Sequence, residues 1–184
     1  MVENQTIEKI DFTEVVPDKE YIDCTFVNCN FEQLLLKNIV FEECHFKFCN
    51  LSLIKTSKMS WHNVHFTECK MVGADFTGSN PFSIFRFHSS NLQYASFTQM
   101  KLKATPFVNC NLQEADFSDA DLSSAIFEQC EMSRTIFSHT NLEKADFTSA
   151  YHFVIDPQNN RLKNARFSRS NLEGLVVSFG ILIE

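Results

Sequence analysis

Large apolar side chains recur at every fifth position through most of this chain, and that period is what most constrains its fold. Stepping by five from Phe26 gives Phe31, Leu36, Phe41, Phe46, Leu51, Thr56, Trp61, Phe66, Met71 and Phe76, a series broken only by Thr56. The frame then slips by one residue. It resumes as Phe82, Phe87, Leu92, Phe97, Leu102, Phe107, Leu112, Phe117, Leu122, Phe127, Met132, Phe137, Leu142 and Phe147 without a polar exception. A helix repeats its faces every 3.6 residues and a strand every 2.0, so neither presents a five-residue stripe to one side. A chain that turns a corner after each quintet does. Four quintets close a square coil of about 20 residues, and successive coils stack as parallel strands at about 4.8 Å.

A second set, two residues before each centre, is mostly small: Ser90, Ala95, Thr105, Cys110, Ala115, Ala120, Ala125, Cys130, Thr135, Thr140 and Ala145. These sit beside the corner, where little room is left. The residues between the two sets are expected to point outward and to vary freely. Reading by twenties places Phe87, Phe107, Phe127 and Phe147 on one side and Phe97, Phe117 and Phe137 opposite, with Leu and Met ladders between them. Alternating aromatic and aliphatic ladders suit a close-packed prism. Only four Gly and four Pro argue against a sandwich, which needs frequent turn residues. The expected fold is all-β: a right-handed quadrilateral parallel β-helix with a short C-terminal helix and a terminal strand.

The slip falls in residues 77–81, where Gly78 offers a positive φ and Pro81 a fixed turn. The expected organisation is an N-terminal cap over 1–21, a first β-helix segment over 22–76, a kink over 77–81, a second segment over 82–150 and a C-terminal module over 151–184. Leu172, Leu175, Val176 and Phe179 are spaced for one helical face, with Ser168 as N-cap and Gly180 as stop, before a strand-like Ile181, Leu182 and Ile183. This module either caps the last coil or forms a twofold dimer interface through Leu175, Val176, Phe179, Ile181, Leu182 and Ile183.

Nothing in the chain points to catalysis, a metal or a cofactor. All seven cysteines fall two before a centre, spaced in multiples of five except across the slip and not as C-x₂-C, and are read as small buried side chains. The six histidines lie at outward or irregular positions, with His62 and His65 able to approach one another. No long apolar run and no secretory leader are evident, so a soluble cytoplasmic protein is expected. A net charge of −7 disfavours direct binding to nucleic acid or anionic membrane and favours a basic partner.

Charge placement is uneven. Residues 1–43 hold ten acids and three bases, residues 44–103 two acids and seven bases, and residues 104–133 six acids and no base. The last group, Glu114, Asp116, Asp119, Asp121, Glu128 and Glu131, is read as an acidic face for a basic groove.

Quintets of the form A-(D/N)-(L/F)-x-x, as in ADFSD-ADLSS-AIFEQ over residues 115–129, resemble the pentapeptide-repeat family across residues 22–150. CTFVNCNF (24–31), the one-residue break, IDPxxNxL (155–162), the helical tail and Gly180-Ile181 resemble the Qnr-type quinolone-resistance and microcin immunity proteins. That resemblance implies a DNA-shaped dimeric rod that binds the type II topoisomerases, gyrase and topoisomerase IV, and protects or inhibits them. This chain lacks the protruding loops that the Gram-negative Qnr pattern inserts between coils, on which protection depends there. The alternative is an interaction scaffold for a different protein partner.

Overall fold

The computed structural model describes residues 1–181 as a parallel β-solenoid followed by a short helical tail. Strands are only two to four residues long, and each pairs in parallel with the coil before or after it. The register is the one expected from the period: Phe26 faces Phe46, Phe46 faces Phe66, and Phe107 faces Phe127.

Inside, the rings of Phe26, Phe46, Phe66, Phe87, Phe107, Phe127, Phe147 and Phe167 form one stack with neighbours 4.6–5.3 Å apart. Phe76, Phe97, Phe117 and Phe137 form the opposite stack at 4.9–5.7 Å and meet the first edge to face. The aliphatic columns fill the remaining sides, and Leu92, Leu102, Leu112, Leu122 and Leu142 are fully buried. Thr56, the polar centre, is buried with its hydroxyl donating to the Asp75 carbonyl at 3.0 Å.

The corners have a feature the period alone does not reveal. Two residues after most centres the backbone enters the left-handed region, and among the described residues 26 non-glycine residues hold φ between 48° and 63°. That conformation costs an ordinary residue about 1–2 kcal/mol. Each corner is held by a ladder bond, such as Asn28 N–H to the Lys47 carbonyl (3.0 Å) and Glu114 N–H to Ser133 (3.0 Å). Aromatic burial and these ladders together offset the strain.

Three expectations need correction. Residues 1–21 are a coil in their own right: Val2–Glu3 and Thr6–Glu8 pair in parallel with Glu20–Ile22 and Thr25–Val27, and Phe12 stacks on Phe31 at 4.4 Å. The offset there is 19 residues (Ile7 to Phe26), so one missing residue between Phe12 and Tyr21 hides the phase.

At the second slip the offset is 21 (Phe66 to Phe87), yet the seven-stranded sheet on that side continues across it without interruption. The extra residue is taken up in residues 80–84. Phe82, expected inside, is 71% exposed, while Phe85 is buried against Phe76 and Trp61 at 5.4 and 5.9 Å. Gly78 is not a positive-φ residue either: it is needed because a Cβ there would lie 1.8 Å from the Thr56 carbonyl oxygen.

The C-terminal helix is of the tighter 3-10 type, in two pieces, Arg169–Leu175 and Val177–Phe179. Ser168 occupies the N-cap position without a side-chain capping bond, and Gly180 stops the segment at φ 64°. Of the expected terminal strand, Leu182 and Ile183 lie outside the described residues.

Candidate protein-binding surface

Only the outer skin of this prism is available to a partner. Each outward residue belongs to the side named by the inward residue at the middle of its quintet. By that register Glu114 and Glu131 lie on the Leu112 side, Asp116 and Asp119 on the Phe117 side, Asp121 on the Leu122 side and Glu128 on the Phe107 side. The six acids therefore wrap all four sides and do not make one face. A window of 30 residues covers one and a half coils, so any linear run of that length must wrap.

Neighbouring coils also bring basic side chains to these acids. Arg134 lies 3.4 Å from Glu114, and His152 Nδ1 lies 2.7 Å from Glu131. Burial pushes the Asp121 carboxyl up, but bonds from Ser123, nearby Lys101 and the Asn141 amide outweigh it and hold the group below the ordinary value. Of the six, Asp119 and Glu128 are exposed and the others half-buried.

Three of the six close turns. Asp116 Oδ1 accepts the Ser118 N–H (2.8 Å) and hydroxyl (2.6 Å), Asp121 Oδ1 the Ser123 N–H (3.0 Å), and Glu131 Oε1 the Ser133 N–H (2.9 Å). The same bond recurs at Asp11, Asn30, Asn50, Asp75, Asn91, Asn111, Asn141 and Asp146. The position before the centre therefore favours, where the corner turns this way, a short side-chain carbonyl that can satisfy the amide two residues on, while other quintets carry Lys55, Lys101, Ile126 or Ile136 there. Replacing Asp116 by alanine is expected to cost about 1 kcal/mol in chemical denaturation, and Asp116→Asn much less, because the amide oxygen still accepts.

The strongest acidic surface lies elsewhere. Of the 23 acids and 16 bases in the chain, residues 1–43 hold ten and three, leaving 13 of each for the remainder. The entire net charge of −7 belongs to the first coils. Glu3, Glu8, Asp11, Glu14, Asp18, Asp23, Glu42 and Glu43 are exposed there, and Glu20 and Glu32 are half-buried. A little over two coils occupy roughly 10 Å of axis. Duplex DNA carries about six phosphate charges over that length. The two densities match.

Other groups sort plainly. All seven cysteines are buried; Cys44 Sγ donates to the Tyr21 and Glu42 carbonyls at 3.4 and 3.3 Å, and burial pushes its pKa up to about 12. His65 pairs with His45 of the adjacent coil, ring centres 4.5 Å apart, and not with His62. Burial, His45 and Arg86 hold the His65 pKa below its ordinary value. Among the described residues no group of three or more His, Cys, Asp or Glu is placed to hold a metal, and no helix is long and apolar enough to cross a membrane.

In the C-terminal module, Asn171 Nδ2 donates to the Phe147 and Ala150 carbonyls at 3.2 and 2.8 Å and seats the 3-10 segment on the last coil. Leu175 packs against the core and Val176 is half-buried, while Phe179 and Ile181 are 48% and 57% exposed. Leu175 and Val176 are thus partly covered, whereas Phe179 and Ile181 are left on the surface.

Comparison with known proteins adds to this picture. Residues 100–176 match a family model described as a pentapeptide repeat region. No curated protein matches the sequence. Among solved structures, QnrB1, a plasmid-mediated fluoroquinolone resistance protein, is similar over 97% of this chain and 99% of its own, with a TM-score of 0.67 and 19% identity. HetL, a pentapeptide repeat protein involved in heterocyst differentiation regulation in the cyanobacterium Nostoc, is similar over 99% of this chain and 92% of its own, with a TM-score of 0.52 and 13% identity. At those identities the likeness concerns the fold. Together with the five-residue register, which breaks only at its two slips, and the match of residues 100–176 to a pentapeptide repeat region, it shows that this chain has the β-helical fold of the solved pentapeptide-repeat structures, similar to that of QnrB1.

Proposed function

We propose that this chain is a non-catalytic cytoplasmic protein that binds a type II topoisomerase, DNA gyrase or topoisomerase IV, by imitating DNA. In that role it inhibits the enzyme or protects it from quinolone-type or peptide poisons. The observation that carries the reading is the concentration of the full −7 charge on the first 43 residues of a rod of uniform section, at a density comparable to that of a duplex. A positively charged DNA groove would gain encounter rate and orientation from such an end. The chain also acts as a homodimer in this reading, joined through Phe179, Ile181, Leu182 and Ile183. Light scattering tests this: twice the 21.2 kDa chain mass supports it and a monomer at micromolar concentration refutes it.

A supercoiling assay with and without a fluoroquinolone tests the function. The protein is expected to inhibit gyrase or to rescue it from the drug at micromolar concentration. The combined reversal of Asp23, Glu42 and Glu43 to Lys should raise the concentration needed at least tenfold, because these acids are exposed and make no turn-closing bond. Reversing Asp119 and Glu128 should change it less than threefold. Unaltered activity at every concentration would refute the reading in favour of a scaffold for another partner.

A further inference from the structure

The middle of the rod has the opposite character from its first coils, and the reading above makes no use of it. Residues 44–103 hold seven bases and two acids, and Lys47, Lys55, Lys58, Lys70, Arg86, Lys101 and Lys103 are all exposed. In this band lies the second slip, where Phe82 and Ile84 stand 71% and 55% exposed.

The backbone of that protrusion is held by hydrogen bonds. Asn80 Oδ1 accepts the Phe82 N–H at 3.0 Å, and the Asn80 carbonyl accepts both the Ser83 N–H (3.0 Å) and its hydroxyl (2.7 Å). Pro81 accepts a ladder bond from Lys101 N–H at 2.8 Å, and Ile84 N–H donates to Trp61 at 2.9 Å. Beside the protrusion runs a groove of about 280 Å³ whose walls include Phe82, Ile84, Lys101, Lys103 and Asp121. Phe85 already fills the inner position, so Phe82 contributes nothing to the core. Bulges re-aim side chains and are over-represented at functional positions, and a backbone already held in place has less entropy to lose on contact.

We propose that this bulge is the docking site for an acidic protein segment that carries an apolar side chain. Phe82 and Ile84 supply the apolar anchor, and Lys101 and Lys103 pair with flanking carboxylates. Charge complementarity selects the partner: apart from the half-buried Asp121, the cations beside the knob face no acid in the groove. A nucleic acid fits less well. Its phosphates leave Ile84 without an apolar partner, and a long polyanion would meet the −7 of the first coils. This site is independent of the topoisomerase reading, which rests on the opposite charge at the end of the rod.

The test uses the full chain and a fluorescein-labelled poly(Glu,Tyr) copolymer, followed by anisotropy at low salt. Binding is expected, with at least tenfold weaker binding to poly(Glu), which lacks the apolar group. Phe82→Ser with Ile84→Ser, and separately Lys101→Glu with Lys103→Glu, should each weaken copolymer binding at least tenfold. The thermal midpoint of the first variant should be unchanged, since neither side chain is buried. Four results would overturn the proposal: no copolymer binding, equal binding by the variants, stronger competition by single-stranded DNA than by unlabelled copolymer at equal charge, or self-association of the unaltered chain that the same substitutions abolish.

Discussion

Truncation of Phe107 to alanine is expected to destabilise the protein by about 3–5 kcal/mol. Its ring is fully buried, 5.1 and 5.2 Å from the rings above and below it and 5.7 Å from Phe117 on the opposite stack. The coil cannot collapse onto the void, because its corners are fixed by ladder bonds to the coils on either side. In a solenoid each coil packs only on its neighbours, so the lesion should also divide the transition into two steps. Urea denaturation followed by tryptophan fluorescence (Trp61) and by circular dichroism reads both effects. Coincident curves with a loss below about 1 kcal/mol would contradict the stacked core.

The second large effect separates two glycines. Gly78→Ala should cost about 3 kcal/mol, since the added methyl would meet the Thr56 carbonyl oxygen at 1.8 Å and its carbon at 2.6 Å, both backbone atoms. Relief requires parting two coils and losing bonds such as Lys58 N–H to the Gly78 carbonyl, 2.7 Å. Gly73→Ala should cost only about 1 kcal/mol, although its φ is +65°. Its methyl would meet Leu53 Cδ2, the end of a flexible side chain, at 2.8 Å, and the same corner is occupied by non-glycine residues throughout the helix. The usual ranking, by which a positive-φ glycine matters most, is reversed here. Thermal unfolding of the two variants side by side checks the order.

The inward columns were legible because burial in a square tube admits only large apolar residues at the centre and small ones beside the corner. Phe97, Phe107, Phe117 and Phe127 could be placed by counting. Counting failed where the coil length changed. Phe82 and Phe85 both lie within reach of the second slip, and the frame alone chose Phe82. The structure seats Phe85, because the surplus residue is spent in the turn at 80–84. The shortened first coil was hidden by a nine-residue spacing between Phe12 and Tyr21.

The surface was less legible for a geometric reason. Residues adjacent in sequence pass around the prism, whereas residues twenty apart share a side. Asp116 and Glu128 looked like members of one patch and lie on different sides, and the cation facing Glu114 comes from Arg134 in the next coil. The excess of acids over residues 1–43 is visible in the residue counts, though the expected face lies at 104–133. Counts do not reveal that Asp116 and Asp121 close turns, which depends on where a carboxylate oxygen sits relative to one amide.

The claim that the first coils compete with DNA for a topoisomerase is tested most directly by displacement. Gyrase is loaded with a fluorescent duplex and titrated with this protein at several salt concentrations. Loss of the duplex at micromolar protein, weakening steeply as salt rises and abolished by reversal of Asp23, Glu42 and Glu43, is the expected result. A duplex that stays bound while the protein joins it, or no association at any salt concentration, would contradict it.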